Sequence, residues 1–132
     1  MGRFLKILLD THALLWWLFD DPRLSAPARV AIADPKTEVL VSAASGWEIA
    51  TKHRLGKSPE AGDVPLDLPK YLRTARFGSL AVTMAHGLAA GALPGPHRDP
   101  FDRMLVAQSR LEELRMVTCD AIFAHYGVDV LW

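Results

Sequence analysis

Phe4-Leu5-Lys6-Ile7-Leu8-Leu9-Asp10-Thr11-His12 is the stretch whose reading decides the fold. A short, nearly continuous apolar run that stops at an acid reads as a strand buried on both faces, as in a parallel sheet. Thr11–Phe19, rich in Leu and Trp, reads as a helix, and Asp20-Asp21-Pro22 breaks it. Strand, acid and helix in that order place Asp10 at the carboxyl end of a strand, the edge on which open parallel sheets build their sites.

The alternation continues along the chain. Ser25 is a good N-cap for a helix over Ala26–Ala33, which Pro35 ends. Glu38–Val41 reads as a second strand and Ser42–Leu55 as a helix, with Gly56 where a C-terminal cap belongs. Lys57–Pro65, rich in Pro, Gly and Ser, reads as a loop, and Leu68–Phe77 as a helix closed by Gly78. Leu80–Thr83 is expected to be the third strand, Ala85–Ala92 a short helix and Leu93–Arg98 a loop. Pro100–Leu114 is the longest periodic helix, with Met104, Leu105, Ala107, Leu111 and Leu114 assigned to one face. Met116–Cys119, Ala121–Tyr126 and Val128–Leu131 complete the pattern as strand, helix and strand, with Gly127 ending the helix. Alternating strands and helices imply βαβ units in a layered α/β sandwich, read as a single domain over residues 1–132.

Composition narrows the function classes. The chain has 132 residues and equal numbers of basic and acidic residues, so its net charge is zero. Any attraction to nucleic acid therefore has to come from local patches rather than from a basic surface as a whole. The lone Cys119 excludes an internal disulfide and suggests a reducing, cytoplasmic setting. The longest apolar run, Ala13–Phe19, is far shorter than a membrane span, and Lys6, Asp10 and His12 break the pattern of a secretory leader.

The acids carry the functional signal. Asp10 follows the first strand and Asp120 the fourth; Glu48 is placed in the first turn of the helix after the second strand; Asp99 and Asp102 open the long helix. Carboxylates brought together in a partly dry cleft repel one another unless protons or cations neutralise them. Hard divalent cations such as Mg²⁺ or Mn²⁺ suit an oxygen-only site and support phosphoryl chemistry. Helix capping accounts for the same positions one at a time. Ser45-Gly46-Trp47-Glu48 matches a capping box, and Asp99-Pro100-Phe101-Asp102 sets an N-cap acid before a first-turn proline. Capping does not explain why so many strand-to-helix junctions here carry an acid.

Taken together these segments resemble the PIN-domain family, and within it the VapC toxins. Leu8-Leu9-Asp10-Thr11-His12 resembles the first motif of that family, and Ser42-Ala43-Ala44-Ser45-Gly46-Trp47-Glu48-Ile49 with Lys52 the second. His97-Arg98-Asp99-Pro100-Phe101-Asp102-Arg103 running into Leu105-Val106-Ala107-Gln108 resembles the third, and Thr118-Cys119-Asp120 with Phe123 the fourth. The resemblance implies a PIN-like three-layer α/β sandwich with a central, mainly parallel sheet of about five strands flanked by helices. It also implies a Mg²⁺- or Mn²⁺-dependent endoribonuclease, inhibited by a VapB-type antitoxin and expected to form a homodimer. Carried onto this sequence, the family's acids are Asp10, Glu48, Asp102 and Asp120, with Asp99 as a further acid of the metal site. Asp10 and Asp102 are assigned to the metal directly, Glu48 and Asp120 to completing or positioning it and its water, and Thr118 to hydrogen-bonding an acid or that water.

Other residues have two readings each. Arg103 suits a phosphate, or else neutralises neighbouring acids. Lys52, His53, Arg54 and Lys57 form a basic stretch suited to an RNA backbone, or else a solvated helix face. His12 and His97 stand beside acids and invite a general-base role that a metal would make unnecessary. Trp16 and Trp17, adjacent on a helix, cannot both face the core, so one is a candidate partner anchor unless a loop covers it. Cys119, assigned to a buried strand, reads as a small hydrophobe. Alternative functions are a PIN-like module that binds RNA or protein without useful catalysis, and a metal-dependent phosphatase or receiver-like domain. No lysine follows a late strand, as a receiver would want.

Overall fold

β1 (Leu5–Leu9) is the central strand, and in the computed structural model, which describes residues 5–95 and 99–132, its Ile7, Leu8 and Leu9 are completely buried. The apolar run is continuous because both faces of the strand are covered. Ile7 and Leu9 point into one core with Leu14, Leu24, Ile32, Val39, Val41 and Val117, whereas Leu8 points into a second with Leu105, Val106, Met116 and Phe123. The alternation of side chains along a strand thus divides one apolar run between two cores.

Around β1 the chain places α1 (Thr11–Leu18), α2 (Ala26–Ala33), β2 (Thr37–Ser42) and α3 (Ala43–Arg54), followed by α4 (Leu68–Ala75) and β3 (Gly78–Leu80). α5 (Met84–Ala92), α6 (Pro100–Leu111), β4 (Arg115–Val117), α7 (Ala121–His125) and β5 (Val130–Leu131) complete it. Among the described residues the five strands form one sheet in the order β3-β2-β1-β4-β5, every pairing parallel. The three-layer α/β expectation therefore holds. The chain builds outward from β1 through β2 to β3, then crosses to β4 and β5 on the other side. That places a topological switch point between β1 and β4. Leu9 is in register with Val41 on one side and Val117 on the other, so Asp10, Ser42 and Thr118 leave the sheet along one edge.

Several boundaries differ from the sequence reading, each for a local reason. Gly78 does not close α4: Arg76 does so, in the left-handed region at φ 62°. Gly78 belongs to β3 opposite Leu40, and a Cβ there would lie 2.9 Å from Leu40 Cδ2, so a larger residue would have to shift that side chain. The stretch read as a loop before α4 contains two 3₁₀ turns, Pro59–Ala61 and Val64–Leu66, which bury Ala61 and Val64 in the first core. α6 stops at Leu111, which is exposed; the buried run is Leu105 to Ser109, and Leu114 is buried from beyond the helix. β4 ends at Val117, so Cys119 is not in a buried strand but exposed. Phe4, His97 and Arg98 lie outside the described residues.

Candidate active site

Asp10 sits where the sequence placed it and does two things there. Its Oδ1 accepts the Ala13 N–H at 2.7 Å, capping α1, and its own N–H donates to the Val117 carbonyl across to β4. The side chain is buried, with the residue only 6% exposed. Burial pushes its carboxyl above the usual aspartate range; a hydrogen bond from Thr118, the Ala13 N–H and the field of His12 oppose that rise, and Glu48 adds to it.

Glu48 is not the partner in a capping box. The N-cap of α3 is Ser42, whose hydroxyl accepts the Ala44 N–H, so Ser45 and Glu48 lie inside the helix and Glu48 beyond its first turn. Freed from capping, Glu48 is 5% exposed and turned inward. Its Oε1 accepts the Thr11 hydroxyl at 2.6 Å and its Oε2 meets Lys52 Nζ at 2.5 Å. Thr11 Oγ1 also lies 3.0 Å from Ser45 Oγ. Ser45, read from the sequence as a cap, instead meets Thr11 from inside the helix, and Thr11 is a contact the sequence reading did not single out. The signal available in the sequence was Thr11 directly after Asp10 and Ser45 three residues before Glu48, one helical turn away.

Asp99 is the N-cap of α6, as the Asp-Pro pattern indicated: its Oδ1 accepts the N–H groups of Phe101 and Asp102 at 2.9 and 3.2 Å. Asp102 lies in the first turn of that helix, half-buried. Asp120 caps α7 through the Ile122 N–H at 3.0 Å and is exposed. Thr118 connects the two strand ends. Buried at the tip of β4, its hydroxyl bonds Asp10 and accepts the Asp120 N–H at 3.0 Å.

Two basic residues are engaged inside the protein rather than turned to a substrate. Arg103 donates to the carbonyls of Ala90, Gly91 and Leu93 at 3.2, 3.4 and 2.5 Å, closing the C-terminal turn of α5. That gives Arg103 a structural task at the end of α5. The Lys52 ammonium is turned to Glu48. Partial burial works against its charge, yet the bond to Glu48 and the fields of Glu48, Asp99 and Asp102 outweigh burial and hold it above the usual lysine range. Lys52 thus reports that the acids of α3 and α6 face a common space. Cys119 stands near Asp10 and Asp120; partial burial and those two charges push its thiol up, which makes it a poor nucleophile. Trp16 and Trp17 are both half-buried against the first core. Trp16 stacks on His12 and meets Trp132 and Arg23, and Trp17 meets Phe77. The exposed tryptophan is Trp47, set edge-on to Phe101.

The donor set suits a hard divalent cation: it is made of carboxylates, and one of them, Asp10, is buried, with desolvation first and the field of Glu48 after it working against its charged form. Among the described residues, however, no three Asp, Glu, His or Cys side chains stand close enough together to hold an ion as placed. As they stand, the acids do not form a closed coordination shell.

The model of one family, described as the PIN domain, matches residues 7–129. The chain belongs to the PIN domain family. Ribonuclease VapC22 of Mycobacterium tuberculosis is 30% identical over 118 residues, covering 86% of each chain. Ribonuclease VapC16 of the same organism is 39% identical over 69 residues, and that match spans about half of each protein, 49%. Among solved structures, VapBC2 from Rickettsia felis, bound to a DNA fragment from its promoter, superposes with a TM-score of 0.69 at 14% identity. The superposition covers 96% of this chain and 97% of that one. At that identity the likeness speaks for the PIN fold.

Proposed function

We propose that this chain is a single PIN domain over residues 1–132 acting as a VapC-type toxin: a metal-dependent endoribonuclease that hydrolyses phosphodiester bonds of cellular RNA. The observation that carries the reading is the pair of buried carboxylates, Asp10 and Glu48, at the carboxyl edge of the sheet beside its switch point. Burial, with a smaller contribution from the field of Glu48, makes the charged form of Asp10 costly, a cost that a divalent cation would relieve. Asp10, Asp102, Glu48 and Asp120, with Asp99, are the residues that would hold Mg²⁺ or Mn²⁺. When bound, that cation supplies Lewis acidity and a field that offsets charge developing on the phosphodiester. The chain's own contributions are positional. Thr118 orients Asp10, and Thr11 orients Glu48. Arg54 and Lys57, exposed at the end of α3 with His53 between them and Lys52, would meet phosphates of the RNA backbone.

The likeness to VapC ribonucleases supports a VapB-type antitoxin as inhibitor and a cytoplasmic site of action. Among the described residues no helix is long and apolar enough to cross a membrane. Val82, Met84, Leu88 and Leu111 are exposed apolar side chains on and beside α5 and α6, and they support association of two copies as a homodimer. The test is incubation of the purified chain with total cellular RNA, with Mg²⁺ or Mn²⁺ or with EDTA, beside Asp10→Asn. Discrete cleavage that requires the metal and is absent in the variant is expected. A folded, antitoxin-free chain that cuts nothing under either metal would leave a PIN module that binds without catalysis.

A further inference from the structure

Lys52 is the one residue of the second motif whose charge is opposite to that of the site. It lies one helical turn after Glu48, and its ammonium stands against Glu48 Oε2. The other oxygen of Glu48 is taken by Thr11, so both oxygens of this buried carboxylate are engaged from within the chain. Asp99 and Asp102 act on the same ammonium from α6. Lys52 thereby pairs with Glu48 and lies within the fields of acids on a second element, where a bound cation would also act.

We infer that Lys52 is a tethered counter-ion of the acidic site, which a divalent cation must displace from Glu48, so that Lys52 weakens metal binding. This rests on the metal-site reading given above. The physical case is one of like charges. An ammonium and a divalent cation sharing Glu48 in a partly dry cleft repel each other, and the repulsion is only partly screened, because the Lys52 side chain is 37% exposed. Lys52 lines a small hollow together with Thr11, His12, Ser58 and Glu60, and Glu60 is a second carboxylate in that lining. A lysine in this position keeps the metal-free protein from holding an unpaired buried Glu48, and it makes occupancy of the site depend on the free metal concentration.

The opposite role is a definite alternative. A residue that merely orients a metal ligand strengthens metal binding, and its loss weakens it. Mn²⁺ binding distinguishes the two without any use of RNA. Calorimetric titration of the purified chain with Mn²⁺ is compared for the native protein, Lys52→Met, Lys52→Gln, Lys52→Arg and the nearby exposed control Lys57→Met. Lys52→Met and Lys52→Gln are expected to bind Mn²⁺ about ten-fold more tightly, with Lys52→Arg and Lys57→Met close to native. In thermal melts both neutral variants are expected to unfold at lower temperature in EDTA and to gain more from added Mn²⁺ than the native chain does. Equal or weaker Mn²⁺ binding in the neutral variants, or an equal gain in Lys57→Met, overturns the inference while leaving the metal site standing. Absence of Mn²⁺ binding in every protein, native included, overturns the site reading and this inference with it.

Discussion

Asp10 and Asp120 perform the same local task in very different surroundings. Each follows a strand, adopts an extended backbone and caps the next helix with Oδ1. Asp10 leaves the central strand directly and is enclosed, whereas Asp120 leaves β4 only after Thr118 and Cys119 and emerges exposed. Asp99 resembles Asp120 in kind, a cap at half-buried depth. Capping and site chemistry are therefore not competing explanations of an acid at a strand-to-helix junction. The difference lies in desolvation: an enclosed carboxylate carries a free-energy cost that a cation relieves, and a solvated cap does not.

Three measurements bear on that contrast. The largest expected effect is on RNA cleavage. Asp10→Asn and Glu48→Gln are expected to lose roughly 100-fold or more, and Asp120→Asn about ten-fold, in the same single-turnover assay. Equal losses at Asp10 and Asp120 would show that burial does not grade the acids. Next comes stability in EDTA. A carboxyl whose folded pKa lies above its reference value of 3.8 holds more protons folded than unfolded, so its contribution is present below 3.8 and lost as pH rises through the folded value. Urea unfolding of the metal-free chain is accordingly expected to show Asp10→Asn gaining on the native protein from pH 4 to pH 7. The smallest effect is capping itself. Asp99→Ala and Asp120→Ala are each expected to cost about 1 kcal/mol, most of it recovered in the asparagine variants, because asparagine caps as well as aspartate. A cost well above that at Asp120 would mean that its carboxylate does more than cap.

How much of this was legible beforehand varies with the range of the interaction involved. Short-range signals read well: the double-faced β1, the helix starts at Ser25 and Asp99, the positive-φ turns at Gly56 and Gly127, and the acids at the junctions. Gly78, Glu48 and Arg103 read less well, because what occupies them is distant in sequence: the Leu40 side chain, Thr11, and the carbonyls ending α5. The capping box proved to be elsewhere, at Thr83 and His86, where a histidine rather than a glutamate reaches back to the cap.

The sequence by itself determined the α/β alternation, the parallel sheet and the identity of the acids, because hydrophobic period and helix caps act over a few neighbouring residues. Only the tertiary structure decided which acids are enclosed and that Lys52 is turned among them, because desolvation and charge pairing depend on segments the chain brings together from far apart.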